Sequence, residues 1–242
     1  MADARVSTES TVASETAPGI SRFLLVPPER GSELALDLLR LDAGATLDLA
    51  DDLHDTLLFA FEGEGTITGR PLGAPGSGLL GAGETGGLTA GPTGLGVVRA
   101  TVGAATDLHA PMGAAVATVG LDAVEPGKAT GARSFQVLHG PSNGSVRATA
   151  FVGYIPPGKA PWHYHLYDEI VWVLRGEGRL HVGEAVEPLA PGSAFRLHPR
   201  EVHIVENLRE TEELAVLGIF TPAGSPSAAY LEPGVAASYV VG

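Results

Sequence analysis

At 242 residues, the chain can hold one large domain or two small ones, and its hydrophobic fraction of 44% is ordinary for a globular core. A formal net charge of −13 argues against nucleic acid and anionic membrane as partners. The absence of cysteine excludes disulfides and thiolate ligands, so histidine and carboxylate remain as metal ligands. The 33 glycines and 18 prolines indicate many turns, as in an all-β protein of short strands.

The N-terminal residues 1–18 are small and polar and contain no aromatic side chain, so we predict a flexible tail there. No apolar stretch reaches the ~18 residues needed to span a bilayer, and no hydrophobic signal region follows the first Met. We therefore expect a cytoplasmic protein.

An internal repeat begins after the tail. The tripeptide Gly-Glu-Gly at 63–65 recurs at 176–178, an offset of 113 residues (176 − 63), and residues 23–26 correspond to 135–138 at nearly the same offset. The repeat predicts two copies of one β-unit, 19–125 and 126–242.

The second copy contains short segments rich in β-branched and aromatic residues, separated by turns with glycine or proline. This spacing is typical of an antiparallel barrel or jelly roll. Such a barrel has room for a metal ion and one small ligand.

Four side chains of the second copy are candidate metal ligands. Residues i and i+2 of a strand point to one face, so His163 and His165 can reach one point. Glu169 follows after a short bend, and His203 opens a later strand. Two imidazoles and a carboxylate on one side of an ion leave other positions open, which suits divalent first-row metals.

Residues 158–178 and 191–207 resemble the two conserved motifs of the cupin superfamily. Gly158, His163, His165, Glu169 and Gly176 fall on the first motif, and His203 and Asn207 fall on the second. In the second motif, the usual proline and glycine positions carry His198 and Arg200, so that turn departs from the pattern.

The resemblance implies an all-β fold of two tandem cupin barrels (double-stranded β-helix or jelly roll). The ligands would hold manganese, iron, nickel, zinc or a similar divalent ion. The set of three histidines and one glutamate is similar to that of quercetin-dioxygenase-like (cupin_2 type) and oxalate-decarboxylase-like bicupins.

By the repeat offset, the ligand positions His163, His165 and Glu169 correspond to Ala50, Asp52 and Thr56 in the first copy. We therefore expect a degenerate barrel without a metal site at 19–125.

Other side chains are candidates for the wall of a substrate pocket. The aromatic and apolar candidates near the motifs are Phe151, Tyr167, Val171 and Phe195. Two further histidines, His181 and His198, are candidates as well. The alternative for the apolar members is plain core packing.

The first functional hypothesis is a metal-dependent enzyme, dioxygenase-like, acting on a small oxygenated substrate, with Glu169 as a ligand or a catalytic base. Lys159 and Arg200 are the cations closest in sequence to the predicted ligands, and the lack of a larger cationic cluster favours a neutral or aromatic substrate. The alternatives are a non-enzymatic small-molecule-binding cupin with a structural metal, and a metal-dependent hydrolase or aminohydrolase. Family resemblance also implies a homodimer.

Overall fold

The structure is a computed structural model that describes residues 5–103, 111–129 and 132–231. Within these ranges the chain forms antiparallel strands and two one-turn 3₁₀ helices, Leu121–Ala123 and Pro141–Asn143. The prediction of an all-β fold is confirmed. Across the described residues, no helix has the length and apolar character needed to cross a membrane.

The strands of the first half form one sheet. Their hydrogen-bonded order is β1-β2-β3-β8-β5-β7-β9, with β4 paired to β8 and β6 paired to β5. The bounds are β1 Ser14–Ala17, β2 Ile20–Val26, β3 Ala35–Leu41, β4 Thr46–Asp48, β5 Asp55–Ile67, β6 Arg70–Gly73, β7 Gly76–Leu80, β8 Gly87–Val102 and β9 Thr118–Gly120.

The strands of the second half form two sheets, with orders β10-β11-β12-β20-β15-β18 and β17-β16-β19-β14-β21, and with β13 paired to β19. The bounds are β10 Gly127–Lys128, β11 Ser134–His139, β12 Thr149–Ile155, β13 Gly158–Lys159, β14 His163–Tyr164, β15 Asp168–Arg175, β16 Gly178–Val182, β17 Ala185–Leu189, β18 Ala194–Leu197, β19 His203–Asn207, β20 Leu214–Thr221 and β21 Tyr230–Leu231.

One strand order occurs twice along the chain. The path β2-β3-β8-β5-β7 of the first half has the same chain-order pattern as β11-β12-β20-β15-β18 of the second half. The sheets of the two halves are separated between Gly120 and Gly127, near the junction predicted from the repeat. The sequence repeat therefore has a counterpart in strand connectivity.

Three buried apolar clusters form the core. One lies within the first half around Leu58 and Val97, and one lies within the second half around Val173 and Phe195. The third contains residues of both halves, including Phe59 and Ile170. Because this third cluster is shared, each half covers an apolar sheet face of the other, which removes that face from water.

Part of the segment predicted to be a flexible tail has regular structure. Residues 1–4 lie outside the described residues, but β1 pairs with β2. Ser7 forms a β-bridge with Ala194, and the Arg5 guanidinium lies 2.6 Å from the Glu201 carboxylate. The segment therefore contacts both halves, because its backbone groups pair with β2 of the first half and with Ala194 of β18 in the second half.

One fully buried histidine, His139 at the end of β11, has no role in the predicted site. Neither ring nitrogen has a hydrogen-bond partner of good geometry among the described residues. Burial lowers the pKa of His139 to about 4, and an interaction with the Ser77 backbone opposes this only in part. The imidazole is therefore neutral in the folded protein at neutral pH.

We expect His139 to make the metal-free protein less stable in mild acid. The unfolded imidazole takes up a proton near pH 6.5 and the folded one only near pH 4, so stability falls as pH decreases through this window. Between pH 7 and pH 5 this contribution is about 2 kcal/mol. Urea unfolding should show that the free energy of unfolding falls between pH 7 and pH 5 in both wild type and His139→Leu. The decrease in His139→Leu should be smaller than that in wild type by about 2 kcal/mol. An equal loss in both proteins would contradict the assignment.

Candidate metal centre

Strand pairing brings the two histidine motifs together. The short strand β14 pairs with β19 so that His163 lies directly opposite His203, and His165 follows just beyond β14. The ring centroids of His163 and His203 are 4.5 Å apart, and those of His165 and His203 are 4.7 Å apart. One ligand atom from each of the three residues lies within 4.8 Å of the others, and all three side chains are buried.

Backbone carbonyls orient two of these rings. Nδ1 of His163 donates to the carbonyl of Pro161 at 2.9 Å, and Nδ1 of His203 donates to that of Glu201 at 2.8 Å. A hydrogen bond at one ring nitrogen selects the tautomer and leaves the lone pair on the other nitrogen, Nε2. Such outer contacts are typical of metal-binding histidines.

The carboxylate of Glu169 completes the set predicted from the sequence. Nδ1 of His165 lies 3.2 Å from Oε2 of Glu169, yet this buried nitrogen has no hydrogen-bond partner among the described residues. Nitrogen and oxygen ligands each about 2.1 Å from one ion and roughly at right angles lie about 3 Å apart. The unpartnered nitrogen and the nitrogen–oxygen donor set therefore fit a divalent metal ion, whose identity the residues do not determine.

Burial sets the charge state of these groups. It lowers the pKa of His163 to about 3, with the charges of His203 and Arg133 adding to the effect, and it also lowers the pKa of His165 and His203. It raises the pKa of Glu169 to about 8, with the charge of Asp168 adding to the effect. The imidazoles are therefore neutral at neutral pH, which is the form that binds metal.

A cavity of about 90 Å³ opens onto the cluster. Its lining is mainly apolar around the four predicted ligands and includes Phe151, Ile155, Val171, Leu197, Val205 and Val216. Gly218 leaves the space that two of the lining side chains need. A Cβ at this position would lie 2.3 Å from the Phe151 ring and 2.8 Å from Oε1 of Glu169.

Three of the six side chains predicted for the pocket wall line this cavity, namely Phe151, Tyr167 and Val171. The Tyr167 ring stacks between two others, with centroids 4.5 Å from His165 and 3.9 Å from Phe220. This stacking packs the His165 ring face to face against an aromatic side chain. Contact of these residues with a substrate stays a prediction.

The other three predicted wall residues lie elsewhere. His181 faces the outer side of its sheet, where Nε2 lies 2.7 Å from the Glu206 carboxylate. His198 is half exposed and lies 3.2 Å from Glu29. Phe195 is fully buried in the apolar cluster of the second half. The strand phase at 181 and 195 could not be read from sequence, since either face of these strands offers apolar neighbours.

Sequence reasoning missed two parts of the wall. Arg133, just before β11, lines the cavity, and burial lowers its pKa while Tyr167 and Glu169 oppose that shift. Pro226, Ser227 and Ala229, before β21, line it as well. Neither segment has a motif or a spacing that relates it to the histidines, so only the fold could identify it.

Arg200, where the second motif departs from its pattern, adopts a backbone conformation that glycine favours. Arg200 occupies the position where the motif has glycine, and its φ of 65° lies in the left-handed region that glycine favours. The backbone N–H of Arg200 donates to the carbonyl of His165 at 2.6 Å. The turn therefore supports the loop that carries a candidate ligand.

Comparisons with known proteins agree with this architecture. Residues 150–220 match the family model Cupin_2, described as a cupin domain. The fold is similar to that of Lactobacillus farciminis oxalate decarboxylase in a formate complex, with a TM-score of 0.77, 13% identity, and coverage of 96% of this chain and 89% of the other. It is also similar to a mutant of Bacillus subtilis oxalate decarboxylase, with a TM-score of 0.74, 16% identity, and coverage of 96% and 80%.

A search of curated proteins finds no match. The structural likenesses, at these identities, concern the fold. Together with the matched segment, they support the cupin resemblance of the second half and a jelly-roll fold for the chain.

The metal assignment predicts a sharp effect of removing one imidazole. His163→Ala should lower the affinity for Mn²⁺ or Co²⁺ by more than ~100-fold, beyond the ~10–100-fold typical of changes outside the ligand set. His181→Ala, which removes a buried histidine off the cavity wall, is the matched control and should bind as wild type does. Stoichiometric metal retained by His163→Ala in elemental analysis would contradict the site.

The Arg200 backbone predicts a stabilising substitution. A left-handed residue other than glycine costs about 1–2 kcal/mol, and glycine loses about 0.5–1 kcal/mol in chain entropy, so Arg200→Gly should stabilise by about 0.5–1 kcal/mol. Thermal unfolding should show the increase while metal affinity stays unchanged. A lower unfolding temperature would indicate that the Arg200 side chain, rather than its backbone conformation, governs this turn.

Proposed function

We propose that this chain is a metal-dependent enzyme that binds a small carboxylic acid at a divalent ion held by His163, His165, Glu169 and His203. The observation that carries the proposal is the position of Arg133. This guanidinium lines the same small cavity as the candidate ligands.

Charge supports a carboxylate-bearing substrate. Arg133 is the one Lys or Arg among the residues that line the cavity within the described part of the chain, and Glu169 is the one carboxylate. A divalent ion held by neutral imidazoles and the single carboxylate of Glu169 would keep a net positive charge in a low-dielectric setting, where an unbalanced charge is costly. A bound carboxylate offsets this excess, and a guanidinium matches its two oxygens.

Size supports a compact substrate. The cavity of about 90 Å³ is below the ~300–1,000 Å³ of pockets that take drug-sized ligands. The sequence argument for a neutral or aromatic substrate rested on Lys159 and Arg200 as the cations closest to the predicted ligands. Arg133 removes that premise, so we favour a small acid over a neutral or aromatic molecule.

The residues have distinct roles in this proposal. Arg133 orients the substrate carboxylate, Phe151 and Val171 exclude water, and Glu169 serves as a ligand or, when detached, as a base. A divalent ion at such a site polarises a bound carboxylate or carbonyl oxygen. The names of the structural neighbours, oxalate decarboxylase with formate bound in one, agree with small carboxylates as ligands of this fold.

The repeated strand order supports a two-barrel organisation, with a barrel at 126–242 that holds the metal and a supporting one at 19–125. Two reaction types remain to be distinguished by experiment. One is the dioxygenase-like reaction predicted from the sequence, and the other is a cleavage of the acid that needs no dioxygen. The homodimer and the cytoplasmic location stay predictions.

Protein loaded with Mn²⁺, Fe²⁺, Co²⁺ or Ni²⁺ should be offered small mono- and dicarboxylates beside their amides and alcohols. Oxygen uptake and carbon dioxide release, measured with and without dioxygen, distinguish the two reaction types. We expect turnover of at least one acid and none of its uncharged analogue. Binding of acids without turnover by any metal form would favour the non-enzymatic alternative.

Arg133→Met tests the substrate class. Loss of a hydrogen bond to a charged group costs about 1.5–3 kcal/mol, so KM or Kd for the acid should rise about 10–150-fold. Lys159→Met, which removes an exposed cation that does not line the cavity, is the matched control and should change neither value. Equal affinity of wild type and Arg133→Met for the acid would refute the role of Arg133.

A further inference from the structure

The guanidinium of Arg196 joins the two halves behind the metal centre. Arg196 lies on β18 of the second half, is 7% exposed, and its Nη1 lies 2.5 Å from Oδ2 of Asp168 and 2.7 Å from Oγ of Ser32. Its Nη2 donates to the carbonyls of Pro27 and Leu34 at 3.0 and 2.5 Å.

The loop between β2 and β3 of the first half supplies most of these partners. Ser32 also donates to the Asp168 carboxylate, so one hydroxyl contacts both members of the buried ion pair. We refer to Arg196, Asp168 and Ser32 as the interdomain clamp. A buried ion pair adds little to stability by itself, but it can fix one arrangement of the chain.

The clamp adjoins a candidate metal ligand. Asp168 and Glu169 are consecutive at the start of β15, so their side chains point to opposite faces of the sheet. Asp168 faces the first half and Glu169 faces the cavity. In the register of β15 and β18, Glu169 lies opposite Leu197, which lines the cavity, and Ile170 lies opposite Arg196.

We propose that Arg196 is a positioning residue for the metal centre, acting through Asp168 and Ser32 to fix the start of β15 and hence the direction of the Glu169 carboxylate. The inference rests on the metal site proposed above and goes beyond it. It assigns the first half, through its 27–34 loop, a direct part in shaping the site of the second half.

The effect should be visible in the metal rather than in stability alone. Metal ligands have to be held within about 0.5 Å of their productive positions. Loss of the contacts that hold them typically lowers metal affinity ~10–100-fold. Arg196→Met should lower Co²⁺ affinity by this factor and change the visible spectrum of bound Co²⁺, which reports its ligand geometry. Ser32→Ala should lower the Co²⁺ affinity and change the spectrum in the same direction, but to a smaller extent. Arg196→Lys should lose less Co²⁺ affinity than Arg196→Met does.

A second buried ion pair offers the matched control. Asp37 is 2% exposed and lies 2.5 Å from Nη2 of Arg99, and neither residue lines the cavity. Arg99→Met should lower the unfolding temperature and leave the Co²⁺ affinity and spectrum as in wild type.

The outcomes separate the two proposals. Failure of wild type to bind Co²⁺ would remove the metal site itself. Wild-type affinity and spectrum in both Ser32→Ala and Arg196→Lys, with only a lower unfolding temperature, would make the clamp purely structural and overturn the inference. Should Arg196→Met not fold, these two milder variants decide the question.

Discussion

The candidate centre depends on imidazoles that are held neutral and correctly turned inside a barrel. Burial lowers the pKa of His163 and His203, and each donates its Nδ1 proton to a backbone carbonyl two residues earlier in the chain. A buried ring without such an acceptor would pay the full cost of desolvation. The same local contact therefore satisfies a buried polar group and directs the remaining nitrogen at a common point. The cavity, the wall and the proposed chemistry are arranged around that point.

The first half contributes to this arrangement without converging ligands of its own among the described residues. It repeats the strand order of the second half, and it covers the sheet face of β15 and β18 with an apolar cluster. The shared cluster removes from water an apolar face that each half would expose on its own. The clamp at Arg196 adds a polar contact within this interface, placed behind Glu169. The interface therefore combines the burial of apolar side chains, which has no preferred direction, with the polar contact of Arg196, which we propose fixes the start of β15.

The position of Arg133 at the cavity changes the substrate class that we propose, from a neutral or aromatic molecule to a small acid. Sequence position alone made Lys159 and Arg200 the relevant cations, but Lys159 is exposed and Arg200 serves a turn. Arg133, 30 residues before His163 (163 − 133), lines the cavity instead. The other lining residues are mostly apolar, so charge is poorly screened in this cavity. The substrate class that we propose rests on this one residue more than on any motif.

The sequence by itself determined the all-β fold, the repeat and the set of candidate ligands. These follow from local rules, namely glycine at turns, alternation along strands and fixed spacing of histidines. Only the tertiary structure decided which side of each strand faces the cavity. It placed Phe151 and Val171 in the wall but turned His181 toward Glu206 and packed Phe195 in the core. It also brought Arg133 to the cavity beside the candidate ligands and Arg196 to the 27–34 loop. Contacts between segments far apart in sequence depend on how the sheets close and pack, and no local pattern encodes that.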